Sequence, residues 1–254
     1  MRIVTYNLNG IRSAMNKGFV DWLKACKPDV VCLQELKAQP DQINVQAFEA
    51  LGYHHYWHAA QKKGYSGVAI LSKQKPDHVE IGCGNKKYDD EGRIIRADIG
   101  NTSIMSVYLP SGTTGDERQA FKMECLADFD IYIAKLKKQN PNLIICGDYN
   151  ICHQPIDIHN PISNKNSSGF LPEEREWIGK FIDSGFIDSF RHFNKEPHHY
   201  TWWSQRANSR AKNLGWRIDY QMVSEGLKKN LREAKILPEA KHSDHCPSLI
   251  EIDF

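Results

Sequence analysis

The 254-residue sequence lacks the features that mark several specialised classes of protein. It has no CxxC pair and no HExxH motif, which argues against zinc knuckles, thioredoxin-type redox centres and zinc hydrolases of the HExxH type. No apolar run approaches the roughly 18 residues of a membrane span. Neither sign of charge dominates, because 33 Lys and Arg face 31 Asp and Glu and leave a formal net charge of +2. A polyanionic partner would therefore have to be recognised at local sites.

The cysteines and the N-terminus indicate a reducing compartment. Seven cysteines are an odd number for a disulfide framework. Cys32 and Cys146 lie inside apolar runs, where a small buried thiol is expected. The first residues, MRIVTYN, already have the pattern of a strand, so we expect no signal peptide. We expect a cytoplasmic monomer without membrane contact.

Short β-branched runs bounded by turn residues predict strands at Arg2–Tyr6, Asp29–Leu33, Gly67–Ser72, Ile94–Ile99, Ser103–Leu109, Leu143–Cys146, Ile218–Val223 and Ser248–Ile252. Apolar side chains at helical spacing predict one helix from Phe19 to Cys26 and another from Phe121 to Leu136. Thr114 and Glu117 form a possible capping box before the second helix, and a third helix begins near Pro172. Some strands follow one another directly. This irregular alternation favours a mixed-sheet α/β sandwich over a strict (βα)n barrel, and we expect a single catalytic domain over residues 1–254.

Acids, amides and one histidine collect at the ends of these strands. Taken singly, an Asp or Asn after a strand usually forms a turn or caps a helix. As a set they are rich in oxygen ligands, with one imidazole and no cysteine, which suits Mg²⁺ or Mn²⁺. The residues are Asn7, Asn9, Gln34, Glu35, Tyr108, Asp148, Asn150, Asp244 and His245.

Three long motifs and three shorter ones carry a resemblance to a known family. The long motifs are PDVVCLQELK (28–37), DSFRH with YTWW (188–203) and NLGWRIDYQMVS (213–224); the short ones are CGDYN, SDHCP and SNKNSSGF (163–170). The chain resembles the exodeoxyribonuclease III / AP endonuclease family of DNA-repair nucleases, within the endonuclease–exonuclease–phosphatase superfamily. The similarity is colinear from Met1 to Phe254.

The resemblance implies a four-layer α/β sandwich, in which two mixed β-sheets pack face to face with helices outside. It implies hydrolysis of the phosphodiester 5′ to abasic sites in duplex DNA, leaving a 3′-OH, during base excision repair. Activity as a 3′–5′ exonuclease, or as a 3′-phosphodiesterase or phosphatase on blocked 3′ ends, is also expected. The implied cofactor is Mg²⁺ or Mn²⁺.

The resemblance also implies roles for the strand-end residues. Glu35 would be the principal metal ligand, with Asp244 and Asn7 completing or adjoining the site. Asp148 would orient or deprotonate the attacking water, or bind metal at another stage. Asn150 would donate its amide to the phosphate and is a further candidate ligand.

His245 would hydrogen-bond a phosphate oxygen, with Asp219 orienting its ring and favouring the imidazolium. Tyr108 would polarise the phosphate or steady the leaving group.

Candidate DNA contacts also follow from the resemblance. Trp202 and Trp216 match a pocket for a base-less sugar, although core packing is the alternative for both; Trp203 and Trp22 are expected in the core. The other candidates have simpler explanations as turn residues or solvated charges. They are Asn164, Arg206, Tyr65, Arg12 and Lys37.

Residues 191–217 carry six Lys and Arg against Glu196 alone, a local charge of +5. The interpretation is a basic, aromatic strip beside an acidic metal centre, and hence salt-sensitive DNA binding. Two alternatives stay open: a superfamily phosphodiesterase acting on inositol phosphates or lipids, and a DNA-binding module without catalysis.

Overall fold

The computed structural model describes all 254 residues, which form two six-stranded sheets with helices on their outer faces and a separate two-stranded ribbon. The predicted α/β sandwich is therefore confirmed. The strands are β1 Arg2–Asn7, β2 Val30–Gln34, β3 His54–His58, β4 Val68–Ser72, β5 His78–Ile81, β6 Ile94–Ile99, β7 Thr102–Tyr108, β8 Leu143–Asp148, β9 Phe186–Asp188, β10 Trp202–Trp203, β11 Gly215–Trp216, β12 Asp219–Ser224, β13 Leu231–Ile236 and β14 Ser248–Ile252. The helices are α1 Ile11–Asn16, α2 Phe19–Cys26, α3 Gln46–Glu49, α4 Lys86–Asp89, α5 Asp116–Gln139, α6 Pro172–Asp183 and α7 Ser189–Phe193, with short 3₁₀ helices at Pro40–Gln42, Pro155–Asp157 and Glu225–Asn230.

Both sheets are mixed, and each contains one parallel pair near its centre. The first sheet has the order β13-β14-β1-β2-β4-β3, in which β1 and β2 are parallel. The second has the order β5-β6-β7-β8-β12-β9, in which β7 and β8 are parallel. Parallel strands end at the same edge of a sheet, so each pair presents two carboxyl ends together.

The main core lies between the sheets. Ile3, Val30 and Ile70 of the first sheet belong to the same buried cluster as Ile104 and Ile144 of the second. Burying such β-branched side chains is worth roughly 1.5–3 kcal/mol each. The sheets are also joined by a hydrogen bond from Gln34 Nε2 to Ser106 Oγ of 2.9 Å. This interior holds the two central pairs at a fixed separation.

The outer helices complete the four layers. Leu126 and Phe129 of α5 pack with Phe181 of α6 against the second sheet, and Phe19 and Leu23 of α2 pack against the first. No helix in the structure is both long and apolar enough to cross a membrane. All seven cysteines are free, and the predicted burial of Cys32 and Cys146 is confirmed.

The structure corrects several local predictions. The proposed capping box is wrong, because α5 begins at Asp116 with Gly115 as its N-cap and no side chain caps it. The strands β3, β5, β9, β10, β11 and β13 were not predicted, since they are short or carry polar edge residues. β8 extends two residues past the predicted end, through Gly147 to Asp148. A Cβ at Gly147 would lie 1.9 Å from the Val107 carbonyl oxygen, so only glycine allows the close approach of β7.

Candidate active site

The parallel pairs bring polar side chains from both sheets to one end of the sandwich. Asn7 ends β1 opposite Gln34 of β2, directly before Glu35. Tyr108 ends β7 opposite Asp148, the last residue of β8. The antiparallel neighbour β12 begins with Asp219, which lies on the other side of Asp148 in register. Strand ends of this kind fix side chains on a rigid scaffold.

The centre of the site is a cluster of two carboxylates and an imidazole. Glu35, Asp148 and His245 each offer a ligand atom, and these atoms all lie within 4.8 Å of one another. Asn7 joins the two acids, because its Nδ2 donates to Glu35 Oε1 (3.0 Å) and to Asp148 Oδ2 (2.9 Å). Its Oδ1 accepts from the Asn9 backbone N–H. Asn7 therefore turns its NH₂ toward the cluster, so here it adjoins the carboxylates as a donor.

Asp244, expected to be a metal ligand, lies outside this three-residue cluster. Its carboxylate accepts hydrogen bonds from Asn9 Nδ2 (2.9 Å) and Trp202 Nε1 (3.2 Å). Burial would raise the pKa of Asp244, but the nearby His245 and these donors outweigh it and lower the pKa. Asp244 is thus held as an anion at the wall of the cavity.

His245 is fully buried and held by one carboxylate. Its Nδ1 lies 2.9 Å from Asp219 Oδ2, and its Nε2 lies 3.9 Å from Asp148 Oδ2. Burial alone would lower the pKa of His245, but the carboxylates of Asp219 and Asp148 outweigh it and raise the pKa to about 10. The imidazole is therefore a cation at neutral pH.

The pKa of Asp148 is also raised, but here burial acts in the same direction as the neighbouring carboxylates. Burial and the neighbouring carboxylates of Asp219 and Glu35 raise its pKa, against the lowering effect of His245, to about 8. A divalent cation beside Glu35 would offset this repulsion between carboxylates, so the donor set fits a hard cation.

Tyr108 is set in a clamp that the sequence did not reveal. Arg93 is buried, its guanidinium lies 5.0 Å from the Tyr108 ring centroid, and it donates to the Tyr108 carbonyl oxygen at 2.6 Å. The Tyr65 hydroxyl accepts hydrogen bonds from Arg93 (3.1 Å) and from Arg118 (2.8 Å). Tyr65 is therefore engaged within the protein. Arg93 directly precedes β6, and nothing in its sequence context distinguishes it.

Asn150 adopts a left-handed backbone conformation with φ of 53°. Its backbone N–H donates to Asp148 Oδ1 (2.8 Å), and its Nδ2 donates to the Leu109 carbonyl oxygen (2.9 Å). Asn, unlike most residues, tolerates this conformation. The Asn150 amide is thereby fixed beside the acidic cluster.

A cavity of about 760 Å³ opens above the cluster. Trp202 and Trp216 form one wall; they face each other across the β10–β11 ribbon with ring centroids 6.0 Å apart and planes at 90°. No Lys or Arg lines it, and His245 is the sole side chain with a positive charge. The cavity is lined by these tryptophans together with Glu35, Tyr108, Ser111, Asp116, Gln119, Asp148, Asn150, Asn166, Ser167, Ser168, Gly169, Leu171, Asp244 and His245 among others.

The other expected tryptophans are buried or half-buried. Trp203 is buried, as predicted, and packs with Tyr200 and Cys246. Trp22 is half-buried and packs on the core around Tyr6 and Phe19.

Several candidate DNA contacts lie away from the cavity. Asn164 donates both available protons to its own turn, at the carbonyls of His159 (3.1 Å) and Asn160 (3.0 Å). Arg206 is exposed in the loop after β10, and Arg12 is exposed on α1. Lys37 lies 2.7 Å from Glu35 Oε2 and also contacts Asn9 Oδ1. The structure therefore pairs Lys37 with the proposed metal ligand.

The interpretation of residues 191–217 as a basic strip is wrong for Arg191, Arg210 and Arg217, half of its basic residues. Arg217 is buried between Asp157 (2.7 Å) and Asp188 (2.6 Å), and Arg191 also contacts Asp157 (2.7 Å). Arg210 donates to backbone carbonyls of the 238–245 loop. The local count of +5 missed acids that lie outside the stretch in sequence and join it in space. Of the basic residues counted there, Lys195, Arg206 and Lys212 are exposed, and none of the three has an ion-pair partner.

Strand ends that carry paired carboxylates and a tyrosine, beside an aspartate-bound imidazolium, suit the metal-assisted hydrolysis of phosphate esters. Residues 4–245 match the Endonuclease/Exonuclease/phosphatase family. The chain is 43% identical over 249 residues to the exodeoxyribonuclease of Bacillus subtilis (strain 168), covering 97% of each sequence. It is 38% identical over 250 residues to the DNA repair nuclease APEX1 of Danio rerio, covering 97% of this chain and 80% of that protein.

Among solved structures, an AP endonuclease from Archaeoglobus fulgidus has a TM-score of 0.90 and 31% identity, with 100% of both chains covered. The chain belongs to the endonuclease/exonuclease/phosphatase family. The predicted resemblance to exodeoxyribonucleases and AP endonucleases is confirmed, and the protein is a DNA-repair nuclease that hydrolyses phosphodiester bonds. These relatives favour neither a lipid or inositol phosphodiesterase nor a module without catalysis.

Proposed function

We propose that this nuclease hydrolyses the phosphodiester 5′ to an abasic site in duplex DNA and leaves a 3′-OH. The observation that carries the proposal is the position of the tryptophan wall directly beside the carboxylate–imidazolium cluster. Trp202 uses its indole N–H on Asp244, so the wall offers little to the hydrogen-bonding edge of a base. Such a wall favours an extruded sugar that carries no base.

A divalent cation, Mg²⁺ or Mn²⁺, fits the charge of the cavity. Glu35, Asp116, Asp148 and Asp244 line it against His245 alone, so a phosphate would meet net negative charge. Glu35 would hold the ion, with Asp148 as a second carboxylate and Asp244 and Asn150 within the same cavity. The bound ion would neutralise charge on the phosphate and on the leaving oxygen.

The protein side chains then divide the remaining work. The charge of the ion would lower the pKa of Asp148 below its value of about 8, and the ionised carboxylate would then orient the attacking water and accept its proton. His245 Nε2 is 3.9 Å from Asp148, too far for a hydrogen bond, so its proton is available to a phosphate oxygen. Asn150 would donate a second hydrogen bond to the phosphate, and Tyr108 would steady the leaving 3′ oxygen.

The DNA backbone would be held by charges on the surface outside the cavity. Arg12 and Arg206 are exposed and can reach phosphates. Asn164 would act through its loop, whose residues Ser167 and Ser168 line the cavity. Tyr65 would stiffen the clamp around Tyr108. When metal binds Glu35, Lys37 would leave that carboxylate and contact a DNA phosphate.

We further propose that residues 1–254 act as one catalytic domain and as a monomer.

The same site would also act at DNA 3′ ends. The phosphodiester to be cleaved there would be placed against the carboxylate–imidazolium cluster in the same orientation as the phosphodiester 5′ to an abasic site. The similarity to an exodeoxyribonuclease supports this second activity. Trimming of 3′ ends and removal of 3′ blocking groups would then differ from incision only in what occupies the tryptophan-walled part of the cavity.

The test is a cleavage assay on an abasic duplex, a nicked duplex with blocked 3′ ends and an intact duplex, each with Mg²⁺, Mn²⁺ or EDTA. We expect rapid incision of the abasic duplex with either metal, none with EDTA, and a loss of about 100-fold or more in Glu35→Gln and Asn150→Ala. The exposed variant Asp21→Asn is the control and should cleave normally. Failure of the wild type to cut the abasic duplex, or faster turnover of a phosphoinositide, would overturn the proposal.

A further inference from the structure

A buried ion pair lies directly beneath the active site and belongs to none of the roles described above. Lys122 of α5 and Glu174 in the first turn of α6 are both 0% exposed, with Nζ 2.6 Å from Oε1. Moving two charges out of water is costly, and a buried pair of this kind is often no more stable than apolar residues of the same volume. Stability is therefore a weak explanation for it, and its remaining hydrogen bonds are informative.

Lys122 connects the pair to the catalytic end of the cavity. Its Nζ donates to the Asn150 carbonyl oxygen at 2.9 Å. Asn150 has a φ of 53°, a conformation that a free backbone visits rarely. Lys122 thus holds the peptide from which the Asn150 amide projects.

Glu174 connects the pair to an adjacent part of the cavity wall. Its Oε2 accepts from the backbone N–H groups of Gly169 (2.6 Å) and Leu171 (3.0 Å), and its Oε1 accepts from Gln119 Nε2 (3.0 Å). All three of these residues line the cavity. A neutral side chain would leave buried backbone donors poorly satisfied.

The two ends meet at Gly169. A Cβ there would lie 2.9 Å from the Trp216 ring and 3.2 Å from the Asn150 carbonyl oxygen. The glycine is therefore packed between the tryptophan wall and the Asn150 peptide. The ion pair holds both the glycine, through Glu174, and the Asn150 carbonyl, through Lys122.

We propose that Lys122 and Glu174 are a positioning pair, which fixes the spacing between the Asn150 amide and the Trp216 wall. The inference rests on the proposed function, since it assigns the pair to the reaction through Asn150. A sugar seated against Trp216 then presents its phosphate to the amide without rearrangement. Losing the pair leaves substrate binding nearly intact and slows the chemical step, because displacements near 1 Å cost about 100-fold in rate.

The experiment compares Lys122→Met, Glu174→Gln and the double variant Lys122→Met/Glu174→Leu with the wild-type enzyme on an abasic duplex. The double variant removes both charges together, so it avoids leaving one buried charge unpaired. The matched control is Lys180→Met/Glu176→Met, which removes an ion pair on the solvent-exposed face of α6. We expect the double variant to keep a cooperative thermal transition and a KM within about threefold of wild type, with kcat lower by about tenfold or more; the control should change neither.

A double-mutant cycle with Asn150→Ala separates positioning from a general structural effect. If the pair acts through the Asn150 amide, Lys122→Met/Glu174→Leu should lower kcat in the wild-type background and add little in the Asn150→Ala background. Equal losses in both backgrounds, or a double variant with wild-type kcat, would overturn the positioning pair while leaving the proposed function standing. Wild-type kcat in Asn150→Ala itself would instead contradict the role of Asn150 and the inference with it.

Discussion

His245 Nδ1 lies 2.9 Å from Asp219 Oδ2, in a contact that is buried on both sides. Asp219 is also the register partner of Asp148 in the next strand. One strand, β12, therefore supplies the carboxylate that orients the imidazole and keeps it next to the acid proposed to activate water. Nδ1 is occupied by this contact, so Nε2 is the nitrogen left to face the substrate.

Asp219→Asn tests this arrangement. The amide keeps the size of the side chain but removes the charge that favours the imidazolium, so kcat on an abasic duplex should fall by about 100-fold or more. The thermal midpoint should change by a few degrees at most. Steady-state kinetics and thermal unfolding measure the two effects, and an Asp219→Asn enzyme with wild-type kcat would refute the role.

Lys37→Met should tighten metal binding. In the structure Lys37 neutralises Glu35, and its ammonium competes with any cation for the same carboxylate. The pair is partly exposed, so the gain should be modest, about threefold to tenfold in the dissociation constant. Calorimetric titration of the DNA-free protein with Mn²⁺ measures it. Lys24→Met, an exposed lysine on α2, is the control, and weaker binding in Lys37→Met would mean that the lysine assists the metal.

Gly169→Ala tests the packing beneath the tryptophan wall. Gly169 has φ of 94°, and the new Cβ would press on Trp216 and on the Asn150 carbonyl. Gly100→Ala is a matched control, because Gly100 has φ of 58° with nothing within 4 Å. Both variants should lose about 1–2 kcal/mol of unfolding free energy from the left-handed conformation. We expect only Gly169→Ala to lose abasic-site cleavage, by about tenfold or more; equal activity in the two would show that the contact does not matter.

The ion network around Asp157 predicts a pH dependence of stability. Burial would raise the pKa of Asp157, but Arg217 and Arg191 outweigh it and lower the pKa from 3.8 to about 2. The unfolded chain therefore binds the proton more tightly. The ionised group contributes about 2 kcal/mol above pH 4, and this contribution disappears as the pH falls toward 2.

Urea unfolding of the wild type and Asp157→Asn at pH 7, 5, 4 and 3 measures this effect. The difference in unfolding free energy should be largest at pH 7 and should narrow below pH 4. Asp21→Asn, on the exposed face of α2, should match the wild type throughout. A difference for Asp157→Asn that stays constant with pH would contradict the linkage.

The sequence determined most of the fold and the identity of the strand-end residues. Apolar runs such as Leu143–Cys146 predict buried strands. An acid or amide that follows such a run can be recognised from its neighbours in the sequence alone. Glu35, Asp148 and His245 could therefore be selected in advance, and the structure brings their ligand atoms together. Their proposed roles came from the resemblance of the surrounding motifs.

Only the tertiary structure decided which charged groups face the substrate and which face one another. Asn7 reaches Asp148 across 141 positions of sequence, and Lys122 reaches Glu174 across 52. Arg217 belongs to a basic stretch in the sequence, but in the fold it is paired with Asp157 and Asp188. The physical reason is that a charge is paired by whichever opposite charge the packed sheets and helices bring within about 3 Å, and that distance depends on contacts made by the whole chain.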